Sequence, residues 1–268
     1  MRTSRSLAAT LLVLTALMAL MAGIAQGSAE VRAPRATLPA AAEPISQAAA
    51  RDLYLQACAS CHGADGGGSA RGPTLIGVGP AAVDFMLTTG RMPFAGQPRE
   101  QAKRKPVAFT EDQIVGLVEY VVGLSGEVPV GPPIPSVQTD AELLARGHEL
   151  FIGNCAPCHG ATGQGGAVGG GALAPPLGQA TSVQVVEAML VGPGQMPIFH
   201  LPEQDLDAVA TYVDYLQTAP DPGGFSIGGI GPVPEGFVGW VLGAGLLLVT
   251  VYLIGRDWHR SGIGEEGR

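Results

Sequence analysis

Two short strings in this chain repeat one chemistry-bearing spacing: Cys58-Ala59-Ser60-Cys61-His62 and Cys155-Ala156-Pro157-Cys158-His159. Together they contain all four cysteines of the 268 residues. Two thiols three residues apart on a helical turn can each form a thioether to a vinyl group of one porphyrin. The adjacent histidine then stands on one side of the metal. Cys-x-x-Cys-His is accordingly the attachment signature of a c-type haem, and two copies imply two covalently bound haem c groups. The alternatives for paired Cys-x-x-Cys strings are one zinc ion or disulfides. Neither calls for a histidine after the second cysteine of both pairs.

An iron held by His62 or by His159 needs a ligand on its other face. Methionine sulfur is one answer, and it raises the reduction potential. Of seven methionines, Met1, Met18 and Met21 lie in an N-terminal apolar run. Met86 and Met189 fall inside apolar helical stretches and read as core. Met92 and Met196 each precede a proline, 30 residues beyond His62 and 37 beyond His159. They are the matched candidates for the second axial position. With both faces of each iron filled, these centres suit outer-sphere electron transfer rather than oxygen or peroxide chemistry. His148 and His200 read as ordinary surface residues.

The elements that must position these groups also occur twice. Residues 48–57 and 142–151 lack an internal proline and read as helices leading into the motifs. Glycine-rich loops follow, Gly66 to Gly68 and Gly163 to Gly171. Each copy then has a proline bend, Gly72-Pro73-Thr74-Leu75 and Ala174-Pro175-Pro176-Leu177, and a short helix before its Met-Pro pair. Closing helices have start signals: Thr110 and Gln113 fit a capping box, and Pro202 suits a first-turn proline followed by Glu203 and Asp205. Ile114, Leu117, Val118, Val121 and Val122 recur at helical spacing, as do Leu206, Val209, Ala210, Val213 and Leu216. No stretch alternates as a strand. The expected fold is all-α: two tandem domains at 48–127 and 140–219, joined by a semi-rigid proline-rich linker at 128–139.

The ends point to a membrane. Met1 to Ala29 has a basic start, an apolar run from Leu7 to Ala25 and a small-residue exit, which fits a cleaved signal or a retained anchor. Residues 30–47 form a tether and 220–235 a second linker. From Gly236 to Gly255 there are 20 residues without a charge, roughly 30 Å as a helix and enough to cross a bilayer. Trp240, Tyr252 and Trp258 flank it as interfacial anchors in contact with lipid. Arg256, His259 and Arg260 in the 256–268 tail place the C-terminus in the cytoplasm and the two domains outside. Net charge is −8, which excludes a strongly basic nucleic-acid binder. Residues 48–127 carry seven basic and eight acidic side chains, whereas 140–221 carry one basic and nine acidic. Such contrast, with the basic Lys103-Arg104-Lys105 stretch, suits surfaces that meet different redox partners.

Both copies resemble the class I cytochrome c family. Cys58-x-x-Cys61-His62, Gly72-Pro73-x-Leu75 and Met92-Pro93 follow its pattern in order, as do Cys155-x-x-Cys158-His159, Pro175, Leu177 and Met196-Pro197. The resemblance implies that the carbonyls of Pro73 and Pro175 accept hydrogen bonds from the ligand histidines. The second copy departs in having Ala174 where glycine is usual and a longer glycine loop. The whole order of parts, with Gln101-Ala102-Lys103-Arg104-Lys105-Pro106 running into Phe109-Thr110-Glu111, resembles the dihaem cytochrome c subunit of actinobacterial-type cytochrome bc complexes (menaquinol–cytochrome c reductases). That likeness implies a cytochrome b subunit and a Rieske iron–sulfur subunit as partners, and a terminal cytochrome c oxidase as electron acceptor. It also implies an electron-transfer role with no substrate chemistry at the chain's own haems. A cytochrome subunit of a cbb3-type oxidase or of a membrane dehydrogenase is the alternative.

Overall fold

The computed structural model describes residues 44–94, 96, 100–219 and 232–262. The N-terminal segment 1–29, with its signal or anchor, most of the tether and most of the 220–235 linker lie outside these residues. The first copy comprises α1 (Gln47–Ala57), α2 (Ala59–His62), α3 (Pro80–Thr88) and α4 (Glu111–Gly123). The second comprises a 3₁₀ turn (Ala141–Leu143), α5 (Leu144–Asn154), α6 (Ala156–His159), β1 (Gly166–Gly169), β2 (Ala172–Ala174), α7 (Ser182–Val191) and α8 (Glu203–Thr218). A separate helix, α9 (Pro232–Gly262), follows.

Each copy buries its own apolar cluster. Tyr54 of α1, Val83 and Leu87 of α3, and Ile114, Leu117, Val118 and Val121 of α4 form the first. Leu150 and Phe151 of α5, Val185, Val186 and Met189 of α7, and Leu206, Val209, Tyr212 and Val213 of α8 form the second. These are the positions that helical periodicity selects, because one stripe of each helix must leave water together. Met189 is buried, as its apolar helix implies, and Met86 is half-buried.

The lead-in and closing helices of each copy cross, α1 on α4 and α5 on α8. In the second crossing Gly147 brings the backbones so close that a Cβ there would sit 2.0 Å from the Ala208 carbonyl oxygen. The helix starts are built as their residues require. The Thr110 N–H donates to Gln113 Oε1 at 3.0 Å, and Thr181 and Gln184 form a reciprocal cap on α7. Pro202 stands immediately ahead of α8 rather than in its first turn, with Glu203 and Asp205 at the positive end.

The two-stranded hairpin β1–β2 is a departure from the expected all-helical reading. It lies within the second glycine loop, antiparallel, with Gly166 opposite Ala174. Gly-Ala-Val-Gly and Ala-Leu-Ala offer almost no side-chain alternation to read. It leaves the architecture helical.

The 128–139 linker is pinned at both ends. Gly131 N–H donates to the Gly77 carbonyl at 3.0 Å, and Ala81 N–H to the Pro132 carbonyl at 3.2 Å. At the far end Gln138 N–H donates to Asp207 Oδ1 at 3.2 Å and Asp140 N–H to Thr211 Oγ1 at 3.3 Å. The stretch after Met92 also bridges the copies. Gln101 exchanges two hydrogen bonds with the Leu173 backbone, at 2.8 and 3.1 Å, and Arg104 donates to Gln184 at 2.7 Å. Part of the basic stretch thus clamps the second copy instead of facing a partner.

In α9 the segment Gly236–Arg256 is 21 residues long, apolar, and long enough to cross a membrane. Its large side chains, Trp240, Leu247, Leu248 and Tyr252 among them, are exposed.

Candidate haem-attachment sites

Each motif occupies the junction of two helices. α1 ends at Ala57, and Cys58 separates it from the single turn α2 that carries Cys61 and His62. Cys155 separates α5 from α6 in the same way. His62 N–H bonds back to the Cys58 carbonyl at 3.0 Å, and His159 N–H to the Cys155 carbonyl at 2.8 Å. Both thiols and the imidazole of each copy therefore belong to one helical turn.

The proline bends fix the imidazoles. His62 Nδ1 lies 2.8 Å from the Pro73 carbonyl oxygen, and His159 Nδ1 lies 3.0 Å from that of Pro175. Pro175, not Pro176, makes this contact. A carbonyl only accepts, so each Nδ1 carries the proton and each Nε2 keeps a lone pair for a metal. Glycines let the loop return under the bend. Gly68 and Gly165 donate to the carbonyls of His62 and His159, both at 2.7 Å. Their φ values are 88° and 81°. An added Cβ would meet Thr74 N at 2.7 Å and the Ala174 oxygen at 2.4 Å.

Electrostatics in both copies favour neutral ligands. Burial pushes the Cys58 and Cys155 thiols up to about 11, with a smaller contribution from Cys61 and Cys158. A seat that disfavours thiolate suits the uncharged sulfur of a thioether. Burial also lowers His159, outweighing its bond to Pro175, so the imidazole is kept uncharged. Among the described residues no cluster of three or more His, Cys, Asp or Glu could hold a metal ion.

Met92 packs against the same cluster as Cys58, and Met196 against the same cluster as Cys155 and Ala156. Each methionine is thus in the copy of its motif and on that copy's core. His148 and His200 are exposed, and the His148 ring lies edge-on to Tyr212 at 5.1 Å.

Sequence reasoning missed Arg91. Its guanidinium lies 4.7 Å from the centre of the Phe85 ring; it is buried, and its Nη1 has no partner. A buried cation without an anion is costly. Beside Met92, it fits a cofactor that brings carboxylates, as the propionates of haem do. Adjacency to Met92 was the available signal; burial was not readable. The Tyr54 hydroxyl, which donates to the Gly63 carbonyl at 2.7 Å, was also missed.

The geometry and chemistry of both copies define a c-type cytochrome, and the comparisons agree. The family described as "Cytochrome c" matches residues 47–125, and "Cytochrome C oxidase, cbb3-type, subunit III" matches residues 142–213. Over most of its length the chain is similar to proteins named "Cytochrome bc1 complex cytochrome c subunit". It is 40% identical to that of Mycobacterium tuberculosis over 82% of each chain. It is 42% identical to that of Mycobacterium leprae over 72% of this chain and 69% of that one. The corresponding figure for Corynebacterium diphtheriae is 38%, over 76% and 79%. The chain belongs to the family of cytochrome bc1 complex cytochrome c subunits: a c-type cytochrome of electron transport with cytochrome c domains. A cbb3-type cytochrome c oxidase subunit CcoP of an Azospirillum species is 31% identical over 64% of this chain.

Proposed function

We propose that this chain is the dihaem electron conduit of a menaquinol-oxidising cytochrome bc complex, taking electrons from a Rieske iron–sulfur protein and delivering them to a terminal oxidase. It contributes electron transfer to a quinol–cytochrome c reductase. Cytochrome b and the Rieske protein are its neighbours in the membrane. The observation that carries this reading is the duplicate Cys-x-x-Cys-His turn with each imidazole fixed on a proline carbonyl.

Bound haem c supplies a one-electron ferric–ferrous couple. Cys58, Cys61, Cys155 and Cys158 would hold it covalently. His62 and His159 present Nε2, and the Nδ1 bonds to Pro73 and Pro175 lock ring orientation and raise ligand basicity. Met92 and Met196, packed on the same cores as Cys58 and Cys155, would offer their thioether sulfurs as the further donors. Donor pairs supplied by fixed side chains, His62 with Met92 and His159 with Met196, would need no rearrangement, which suits outer-sphere electron transfer. The buried clusters exclude water around each site. The domains at 48–127 and 140–219 lie outside the cell, the segment 236–255 crosses the membrane, and the tail 256–268 is cytoplasmic.

Purification of the full chain with its native partners tests the reading. Cytochrome b and Rieske subunits should co-purify, and menaquinol should reduce both haems of this chain. Co-purification with a cbb3-type catalytic subunit instead would favour the reading that the 142–213 match supports.

A further inference from the structure

The two copies meet through equivalent helices, α3 on α7. Asp84 stands two residues before Met86, and Glu187 two before Met189, so the repeat places a carboxyl at the same position of each helix. Each carboxyl group is the charged group that acts on the other across this contact. Glu187 is fully buried, at 0% exposure. As a carboxylate, neither of its oxygens has a donor. Two ionised carboxylates only accept and cannot satisfy each other; one proton between them lets one carboxyl donate to the other.

We propose that Asp84 and Glu187 hold a single shared proton and act as a proton-dependent latch between the two domains. The inference stands on the domain contact and goes beyond the electron-transfer reading. Solvent supplies the proton as the interface closes and receives it back when the carboxyls ionise and part.

Among the described residues, the neighbouring charged groups have other partners. On α4, Glu119 borders the same surface cavity as Asp84 and accepts a hydrogen bond from Gln47 at 3.0 Å. On α8, Asp207 accepts from Gln138. In the 90–109 stretch, Arg91 lies on Phe85 and Arg104 on Gln184. Asp84 is the charge that acts on Glu187, and burial together with that charge pushes Glu187 from 4.5 up to about 9. The proton belongs to the pair rather than to either residue.

The docked state therefore binds more protons than the undocked state between these two values. Docking is strongest below pH 4.5 and is lost progressively as pH rises through about 9. One linked proton makes the opening equilibrium rise roughly tenfold per pH unit inside that window.

The test uses the full-length haem-loaded protein. Hydrogen exchange of the α3 and α7 amides, corrected for intrinsic rates, should show that slope in the native protein. It should be flat in Glu187→Gln, whose amide donates to Asp84, and in the double variant Asp84→Asn/Glu187→Gln. Infrared spectroscopy at neutral pH should show the carbonyl stretch of a protonated carboxylic acid that disappears in Glu187→Gln. Absence of that band in the native protein, or an equal pH slope in native and variant proteins, would overturn the latch.

Discussion

The two copies share a frame and differ in what surrounds it. In the first, Tyr54 is fully buried and its hydroxyl ties α1 to the Gly63 carbonyl at 2.7 Å. In the second, Phe151 fills the same place with no hydroxyl. Ala50 stands at the helix crossing of the first copy and Gly147 at that of the second. Before the candidate ligand sulfur the first has buried Arg91, the second exposed Gln195. His62 is buried, whereas His159 is half-buried under the glycine hairpin. What recurs is the turn that presents thiols and imidazole and the carbonyl that orients the ring. What varies is enclosure and charge, the levers that set a haem's potential. The two copies therefore present the same turn in unlike surroundings, the first more enclosed than the second.

Replacing Cys155 and Cys158 with Ala should give the largest effect, a halving of covalent haem per chain by pyridine haemochrome assay. The same replacement of Cys58 and Cys61 should leave the other half. Met196→His should keep the second haem attached but lower its potential in a spectroelectrochemical titration, with the first unmoved; a potential unchanged by this variant would exclude Met196 as ligand. Gly147→Ala tests the crossing. The added Cβ meets backbone, so it should destabilise the second domain by about 1–3 kcal/mol in denaturant unfolding. Ala50→Gly in the first should cost only about 1 kcal/mol, through helix propensity. Tyr54→Phe makes the first copy like the second and should lose about 1 kcal/mol, one net hydrogen bond. Arg91→Gln should lower the first potential alone, because losing a cation favours the ferric charge.

The two Cys-x-x-Cys-His turns and the helix order were legible because local spacing dictates them, while the proline bends came from the resemblance to class I cytochromes c. The Pro175 carbonyl, the one the resemblance implies, lies 3.0 Å from His159 Nδ1. The hairpin at Gly166–Ala174 was hidden by its composition: glycine and alanine give no alternating pattern. The turning of Gln101 and Arg104 onto the second copy was hidden too, because a basic loop looks the same whether it meets solvent or Gln184. Nothing local marks Asp84 and Glu187; their nearness follows from the packing of the two helices.

A redox titration of the purified full-length protein, with its covalent haem counted, tests the central claim most directly. Two haem c per chain should titrate as two low-spin histidine–methionine centres, with distinct potentials. A single covalent haem, or a centre without methionine ligation, would contradict it.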